Sequence, residues 1–219
     1  MGTKSTLLLA VALMALRYAT ADSYDYTWHE GRATRYGALD DPWTIHYGSC
    51  GYYYLDKDTA TGWDIAALAD SNWGYNGQCG ICFEVACSNS GFTDGYGTYM
   101  NRNDVCYDSS ASVVVQVTDK CECNYPSNAY SNKRWCCGDM FHMDLSQWAY
   151  EKERKGGGGA EGGGGSTTLA ESKWGVIGVK FRQVACNYQP KNKAYTNNPS
   201  PGYGRPSGWK KSDDKRPWP

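Results

Sequence analysis

The sequence contains little phenylalanine, little histidine and almost no excess of charge. Four Phe stand beside 18 Tyr and nine Trp, a balance typical of aromatic rings that keep a polar group near water. Three scattered His residues form no zinc-ligand pattern, and no phosphate-binding loop or serine-nucleophile elbow occurs. A formal net charge of −1 excludes a strong basic attraction to nucleic acid or anionic lipid. We expect a monomer with no cofactor, no metal, no nucleic-acid partner and no membrane partner.

Long apolar runs are missing, with one exception at the amino terminus. Residues 7–16 are apolar, Lys4 precedes them, and Ala19-Thr20-Ala21 fits the small-residue pattern of a cleavage site. This run is too short to span a bilayer, which needs about 20 apolar residues. Residues 1–21 are therefore interpreted as a signal peptide, and the mature protein is expected to be secreted.

Ten cysteines lie between Cys50 and Cys186 and delimit a folded unit at residues 25–188. In a secreted chain an even number of Cys predicts five disulfides rather than metal thiolates, although the Cys79-x-x-Cys82 spacing alone also fits a zinc or redox motif. Spacing leaves the connectivity open, because eight Cys already allow about 105 pairings.

Short β-strands dominate this unit. Residues 81–85 and 112–118 are rich in β-branched and aromatic residues, and 175–184 alternates apolar with basic positions. The stretches 64–70 and 145–154 predict two helices. No regular alternation of strands and long helices occurs, which favours a closed barrel over an open parallel sheet. The predicted fold class is mainly β, disulfide-rich, with short helices.

Two segments lie outside the predicted core. Residues 156–165 are Gly-rich and are interpreted as a flexible surface insertion before the last strand. Residues 189–219 hold six of the eight Pro and no Cys, and they predict a disordered tail whose basic and aromatic side chains could touch glycans.

Six motifs follow one another along the chain in an informative order. They are Ala33-Thr34-Arg35-Tyr36-Gly37 ahead of Cys50-Gly51-Tyr52, Cys79-Gly80-Ile81-Cys82-Phe83-Glu84-Val85-Ala86-Cys87, Val117-Thr118-Asp119-Lys120-Cys121, Trp135-Cys136, His142-Met143-Asp144-Leu145-Ser146 and Gly175-Val176-Ile177-Gly178-Val179-Lys180-Phe181-Arg182-Gln183-Val184-Ala185-Cys186. In this order they resemble domain 1 of expansins and, by extension, the family-45 glycoside hydrolases, which share a six-stranded double-psi β-barrel. The resemblance covers about residues 30–188 and does not extend to the second, carbohydrate-binding domain of expansins.

The resemblance implies a disulfide pattern. Its members are Cys50–Cys79, Cys82–Cys186, Cys87–Cys106 and, from the long loop of α-type expansins, Cys121–Cys136. Cys123 and Cys137 then pair with each other, unless the two neighbouring pairs exchange partners. Each link contributes about 2–4 kcal/mol of stability.

The resemblance also implies a catalytic acid. Asp144 falls where family-45 hydrolases place the acid of a His-x-Asp motif, although Asp144 with Gln147 also fits a helix N-cap. Inverting hydrolysis needs a second carboxylate to activate water. Those hydrolases place their base Asp directly after a Thr-Arg-Tyr-x segment, whereas Thr34-Arg35-Tyr36 continues here as Gly37-Ala38-Leu39, without a carboxylate. The other candidates for this carboxylate are Asp41, its neighbour Asp40, and Asp119. Alternatively, these aspartates are ordinary turn residues.

Sugar-binding residues follow from the same comparison. Thr34 and Tyr36 match expansin residues that hydrogen-bond to sugar hydroxyls, and barrel packing is the simpler alternative. Trp43, Trp73 and Trp135 are candidate stacking platforms or, alternatively, core anchors. Glu84 is expected at an exposed rim.

Three functions are compatible with these residues. The first is a secreted expansin-like protein of the cell wall that binds polysaccharide such as β-glucan or cellulose and loosens it without hydrolysis, because no base is evident. The second is an inverting endo-β-1,4-glucanase that uses Asp144. The third is a chitin-binding defence or matrix module similar to barwin.

Overall fold

The framework of the computed structural model is a closed barrel of six strands. The structure describes residues 24, 26–37, 42–53, 55, 60–70, 77–150, 153–154 and 175–195. The strands are β1 (His29–Tyr36), β2 (Ile65–Ala69), β3 (Cys82–Ser88), β4 (Phe92–Thr93), β5 (Tyr99–Met100), β6 (Ser112–Cys121), β7 (His142–Ser146), β8 (Glu153–Arg154), β9 (Val176–Val184) and β10 (Ala194–Tyr195). The barrel runs β1-β7-β2-β6-β3-β9, while β4 with β5 and β8 with β10 form two small sheets.

The barrel mixes parallel and antiparallel neighbours. Strands β1 and β7 are parallel, as are β2 and β6, and the other barrel pairs are antiparallel. Parallel partners need long crossover connections, and between β1 and β7 these carry the helices Pro42–Ile45, Pro126–Asn128 and Ala129–Trp135. A further short helix, Gln147–Tyr150, follows β7. The predicted class, a mainly β double-psi barrel with short helices and five disulfides, is confirmed.

Alternating side chains divide the barrel into an inside and an outside. Val85, Val115, Val117, Met143 and Ile177 point inward and are at most 1% exposed. Because successive residues of a strand face opposite sides, the residues between them point outward. The outward positions hold the polar residues of the functional site.

The predicted helix at 64–70 is wrong, because this segment is strand β2. All five residues of Ile65–Ala69 are buried. Ala66 and Leu68 face the barrel interior, whereas Ala67 and Ala69 pack in an outer cluster with Cys121. A strand buried on both faces lacks the alternation by which sequence patterns reveal strands.

The predicted helix at 145–154 is also largely wrong. Leu145 and Ser146 end strand β7, and the helix is limited to Gln147–Tyr150. The Ser146 hydroxyl accepts a hydrogen bond from the Ala149 amide at 3.2 Å and donates one to the Trp63 carbonyl at 2.6 Å. Ser146 therefore caps the helix, and the alternative of Asp144 as its N-cap is wrong.

Five disulfides join the strands to the loops around them. They are the five pairs that the resemblance implies, Cys50–Cys79, Cys82–Cys186, Cys87–Cys106, Cys121–Cys136 and Cys123–Cys137. Cys82–Cys186 closes a loop with a sequence separation of 104, so it constrains the unfolded chain most.

The first part of the predicted tail is ordered. The Ser112 amide donates a hydrogen bond to the Asn192 carbonyl at 2.9 Å, and β10 pairs with β8. Residues 196–219, the signal peptide and the Gly-rich tract lie outside the described residues. Within the described part of the chain, no helix is long and apolar enough to cross a membrane.

Candidate functional site

Four side chains form one row across the outside of the barrel. The β-ladders pair Thr34 with Asp144, Asp144 with Ala67, and Ala67 with Asp119. Paired residues project on the same side of a sheet, and neighbouring strands lie about 4.8 Å apart. The two aspartates therefore flank the small Ala67 side chain, with their Cα atoms about 10 Å apart. We call Thr34, Asp144, Ala67 and Asp119 the front row.

A hydroxyl and an imidazole hold Asp144 in place. Its Oδ1 accepts a hydrogen bond from the Thr34 hydroxyl and lies 2.9 Å from His142 Nε2. A carboxylate can only accept hydrogen bonds, so the proton of this contact belongs to Nε2. The Nδ1 atom of His142 is buried and has no hydrogen-bond partner among the described residues. His142 therefore contacts the site through Nε2.

A β-bulge orients Asp119. Strand β2 pairs its successive residues with 117 and 119 of β6, so Thr118 is the extra residue. Asp119 Oδ1 accepts hydrogen bonds from the Ser49 amide at 2.8 Å, the Ser49 hydroxyl at 3.0 Å and the Lys120 amide at 2.7 Å. Gly48 permits this close approach, because a Cβ there would lie 2.3 Å from the Thr118 carbonyl oxygen. The bulge and the loop at 48–50 hold each other in position.

Burial changes the titration of two groups in the site. Burial raises the pKa of Asp119 above its ordinary value. The hydrogen bonds from Ser49 and Lys120 lower this pKa in part, and the charge of Asp144 raises it further. Burial also raises the pKa of Tyr36, with a further increase from the charge of Asp119. The Tyr36 hydroxyl is buried, and the residue as a whole is half-buried. Tyr36 and the two carboxylates therefore share one electrostatic environment.

A buried arginine positions Trp135 above the site. Arg32 is fully buried, and its guanidinium binds both oxygens of Asp139 at 2.6 Å. It also donates to the carbonyls of Arg134 at 3.2 Å and Trp135 at 2.8 Å, at the carboxyl end of the helix Ala129–Trp135. Cations at this end also interact favourably with the helix dipole. Trp135 in turn stacks on His142 with ring centroids 6.4 Å apart.

Asp94 fixes the same helix end from the other side. It accepts hydrogen bonds from the amides of Tyr96 at 2.9 Å and Thr98 at 2.8 Å, and from Arg134 Nε at 2.5 Å. Burial alone would raise the pKa of Asp94, but these hydrogen bonds together lower it below its ordinary value. The Arg134 guanidinium lies 4.8 Å from the Trp135 ring centroid.

A disulfide borders the carboxylate of Asp144. The donor atoms of Cys121, Cys136, His142 and Asp144 all lie within 4.8 Å of one another. Both sulfurs form the Cys121–Cys136 disulfide, so His142 and Asp144 are the two of the four that keep an available ligand atom. This pair alone does not make the closed set of ligands that a structural zinc site needs.

Part of the predicted site comes together in the structure. Thr34, Asp119 and Asp144 share the front row, and Tyr36 and Trp135 pack against the same outer cluster. Asp40, Asp41, Trp73 and the side chain of Trp43 lie outside the described residues. Glu84 is only 4% exposed on another face, so its expected rim position is wrong.

Sequence reasoning missed His142, Ser49 and Arg32 as parts of the site. His142 lies two residues before Asp144, and in a strand that spacing places both on one face, so the signal was present. Ser49 and Arg32 reach the site only through the loop and helix that pack on it. The sequence carried no local signal for either contact.

Known proteins resemble this chain over the same region. No protein-family model matches it. The chain is 30% identical to Expansin-A32 of Oryza sativa subsp. japonica over 162 residues, which are 73% of this chain and 48% of that protein. It is also 30% identical to Expansin-A24 of Arabidopsis thaliana over 159 residues, which are 73% of this chain and 40% of that protein. The barrel is an expansin-like domain 1. The chain spans about half the length, or less, of these two relatives.

Solved structures overlay on the expansin-like barrel only loosely. An expansin of Clavibacter michiganensis gives a TM-score of 0.37 at 20% identity, covering 73% of this chain and 51% of that one. The β-1,4-D-endoglucanase Cel45A of the blue mussel Mytilus edulis gives 0.40 at 16% identity, covering 74% and 82%.

Proposed function

We propose that the front row binds a β-glucan chain of cell-wall polysaccharide, and that the protein loosens this material without cleaving it. The observation that carries the proposal is the row itself. Two carboxylates and a threonine hydroxyl line one outward face, the small Ala67 leaves room between the aspartates, and Trp135 lies beside them. Such an alternation of acceptors, donors and an aromatic ring matches the hydroxyls and the C–H faces of a sugar chain. The similarity to expansins supports the same ligand class.

The arrangement around the aspartates supports binding rather than hydrolysis. An inverting hydrolase needs one carboxylate that activates water, and Asp119 Oδ1 is already occupied by three donors from Ser49 and Lys120. The residues that follow Tyr36 are Gly37, Ala38 and Leu39, and none of them provides a carboxylate. General-base assistance alone is commonly worth about 10²–10⁴-fold in rate. Without it, we expect contact with the glucan and no turnover.

A specific observation favours hydrolysis as the second candidate. Asp119 and Asp144 flank Ala67 at a Cα separation of about 10 Å, which is compatible with the carboxyl spacing of inverting enzymes, about 6.5–9.5 Å. Burial raises the pKa of Asp119, so this carboxyl would be the acid of such a pair. Asp144, with two donors on Oδ1, would then be the base. This assignment is the reverse of the one that the sequence resemblance implies.

Secretion is part of the proposal. Five disulfides, with no free cysteine among the described residues, support an oxidising compartment such as the extracellular space. The predicted leader at 1–21 is consistent with this location.

One experiment separates the candidate functions. Wild type, Asp144→Asn and the exposed control Asp104→Asn are compared for reducing-end release from soluble β-glucans and for binding of a β-1,4-linked glucose hexamer and a chitin hexamer. The proposal predicts no release from any variant, and glucan binding that only Asp144→Asn weakens. Release by wild type that Asp144→Asn abolishes would establish the hydrolase instead. Preference for the chitin hexamer would favour the barwin-like alternative, and equal binding by all three variants would contradict the front row as the site.

A further inference from the structure

A cavity lined by charged and aromatic residues lies on the side of the barrel opposite the front row. Its volume is about 590 Å³, within the usual range of ligand sites, and it covers the outer face of β3 and β9. We call it the back pocket. Its main lining residues are Trp28, Glu84, Lys180, Arg182, Tyr188 and Lys191.

Arg182 is the structural centre of the back pocket. Its Nε donates to Glu84 Oε2 at 2.7 Å, and its Nη2 donates to the Tyr188 hydroxyl at 2.8 Å. The guanidinium also lies 4.7 Å from the Trp28 ring centroid and 5.4 Å from that of Tyr188. The Ser112 hydroxyl occupies the other Glu84 oxygen at 2.6 Å. The charges of Glu84 and Arg182 are therefore paired, and both aromatic rings are held in place.

Two lysines leave positive charge in the pocket. Lys180 Nζ lies 5.5 Å from the Trp28 ring centroid, and Lys191 is exposed. Neither makes an ion pair within the part of the chain that the structure describes. Glu30 is the cross-strand neighbour of Lys180, but it does not line the cavity. Trp28 is 39% exposed, so an aromatic surface lies beside these ammonium groups.

The far wall of the pocket is already formed. The Asn192 side chain donates to the Ser110 hydroxyl at 2.8 Å and to Asp108 Oδ2 at 3.2 Å, and the Asn192 carbonyl accepts from the Ser112 amide. These bonds hold the segment after Cys186 against the end of β6. A ligand therefore enters a cavity whose wall needs no ordering, which lowers the entropic cost of binding.

We propose that the back pocket binds an acidic sugar unit of a polysaccharide, independently of the front row. The C–H face of the sugar ring packs on the exposed Trp28 indole, and the carboxylate is held by the ammonium groups of Lys180 and Lys191. In uronate-containing chains, each uronate unit has both a C–H face and a carboxylate. A neutral glucan offers only the ring face.

The test uses a hexamer of α-1,4-linked galacturonate and the same hexamer as its methyl ester, in which each carboxylate is neutralised and carries an added methyl group. Calorimetric titration of the wild-type chain is expected to show tighter binding of the acid form than of the ester. The double variant Lys180→Gln/Lys191→Gln should weaken the acid form about tenfold and leave the ester unchanged. Trp28→Ala should weaken both hexamers.

Matched control variants distinguish specific binding in the back pocket from non-specific electrostatic attraction. Arg35→Gln/Lys133→Gln removes the same charge at exposed positions elsewhere, and Tyr99→Ala removes another exposed ring. Both variants should bind the acid hexamer like wild type. An equal loss in the two double variants would overturn the proposal, as would equal binding of acid and ester or an unaffected Trp28→Ala variant. Titration of the Asp144→Asn variant with the β-1,4-linked glucose hexamer reports on the front row alone. The proposals for the front row and for the back pocket can therefore be contradicted independently.

Discussion

The front row and the back pocket use carboxylates in opposite ways. On the back, Glu84 forms an ion pair with Arg182 and a hydrogen bond with Ser112, so its charge is satisfied within the protein. On the front, Asp119 and Asp144 are held by hydroxyl, amide and imidazole donors, and no Lys or Arg forms an ion pair with either one in the described residues. A paired buried carboxylate contributes to the fold, whereas a positioned carboxylate without a cation remains able to bind a ligand or a proton.

The largest expected effect tests the support of the front row. Arg32→Met removes a fully buried cation from Asp139 and from the carbonyls of Arg134 and Trp135. We expect a loss of about 3–5 kcal/mol in the free energy of unfolding, measured with urea and intact disulfides. Arg35→Met, at an exposed position with one hydrogen bond to Gln147, should cost less than about 1 kcal/mol. Similar losses in both variants would contradict this view of Arg32.

The second prediction compares the two faces directly. Glu84→Gln leaves Arg182 without its carboxylate and should lower the free energy of unfolding by about 2–4 kcal/mol. Asp144→Asn keeps an acceptor for Thr34 and should change stability by less than about 1 kcal/mol while weakening glucan binding. Urea unfolding and glucan titration of both variants check the contrast. The contrast between the two carboxylates is contradicted if Asp144→Asn lowers the free energy of unfolding as much as Glu84→Gln does.

Two glycines offer a matched pair of overpacking variants. A Cβ at Gly48 would lie 2.3 Å from the Thr118 carbonyl oxygen, and one at Gly178 would lie 2.8 Å from the Ser88 carbonyl oxygen. Gly48→Ala and Gly178→Ala should each cost about 1–3 kcal/mol of stability by forcing the backbone apart. Because Ser49 next to Gly48 holds Asp119, glucan affinity should fall in Gly48→Ala only. A parallel fall in Gly178→Ala would mean that overpacking anywhere disturbs the front row.

The smallest effects concern pH, and two aspartates should respond with opposite sign. The pKa of Asp119 is raised in the folded protein, so its contribution to stability is lost as pH rises from about the ordinary value of 3.8 through the raised pKa. The pKa of Asp94 is lowered, so its contribution is lost as pH falls from about 3.8 through the lowered pKa. Relative to wild type, Asp119→Asn should gain stability as pH rises above about 3.8, and Asp94→Asn should lose stability as pH rises toward about 3.8 from below. Parallel trends in thermal unfolding of the two variants would contradict these shifts.

Local patterns predicted much of the barrel and part of the site. Strands β3 and β6 were predicted because they are rich in β-branched and aromatic residues, and β9 because its apolar and basic residues alternate. The Cys positions together with the motif order indicated the fold. Strand β2 was predicted as a helix, since a strand buried on both faces shows no alternation. Glu84 was expected at the rim, because the cross-strand arginine that makes its burial tolerable lies 98 residues away.

The sequence by itself determined the cysteine framework, the mainly β character and the identity of Thr34, Tyr36, Asp119 and Asp144 as candidates, because these depend on local composition and motif order. Only the tertiary structure decided that Asp119 and Asp144 flank Ala67, that Arg32 holds Trp135 beside them, and that Trp28 meets Lys180 and Arg182 on the opposite face. These juxtapositions arise from ladder register, a β-bulge and long-range charge pairing. They join residues far apart in the chain, and no local pattern encodes such distances.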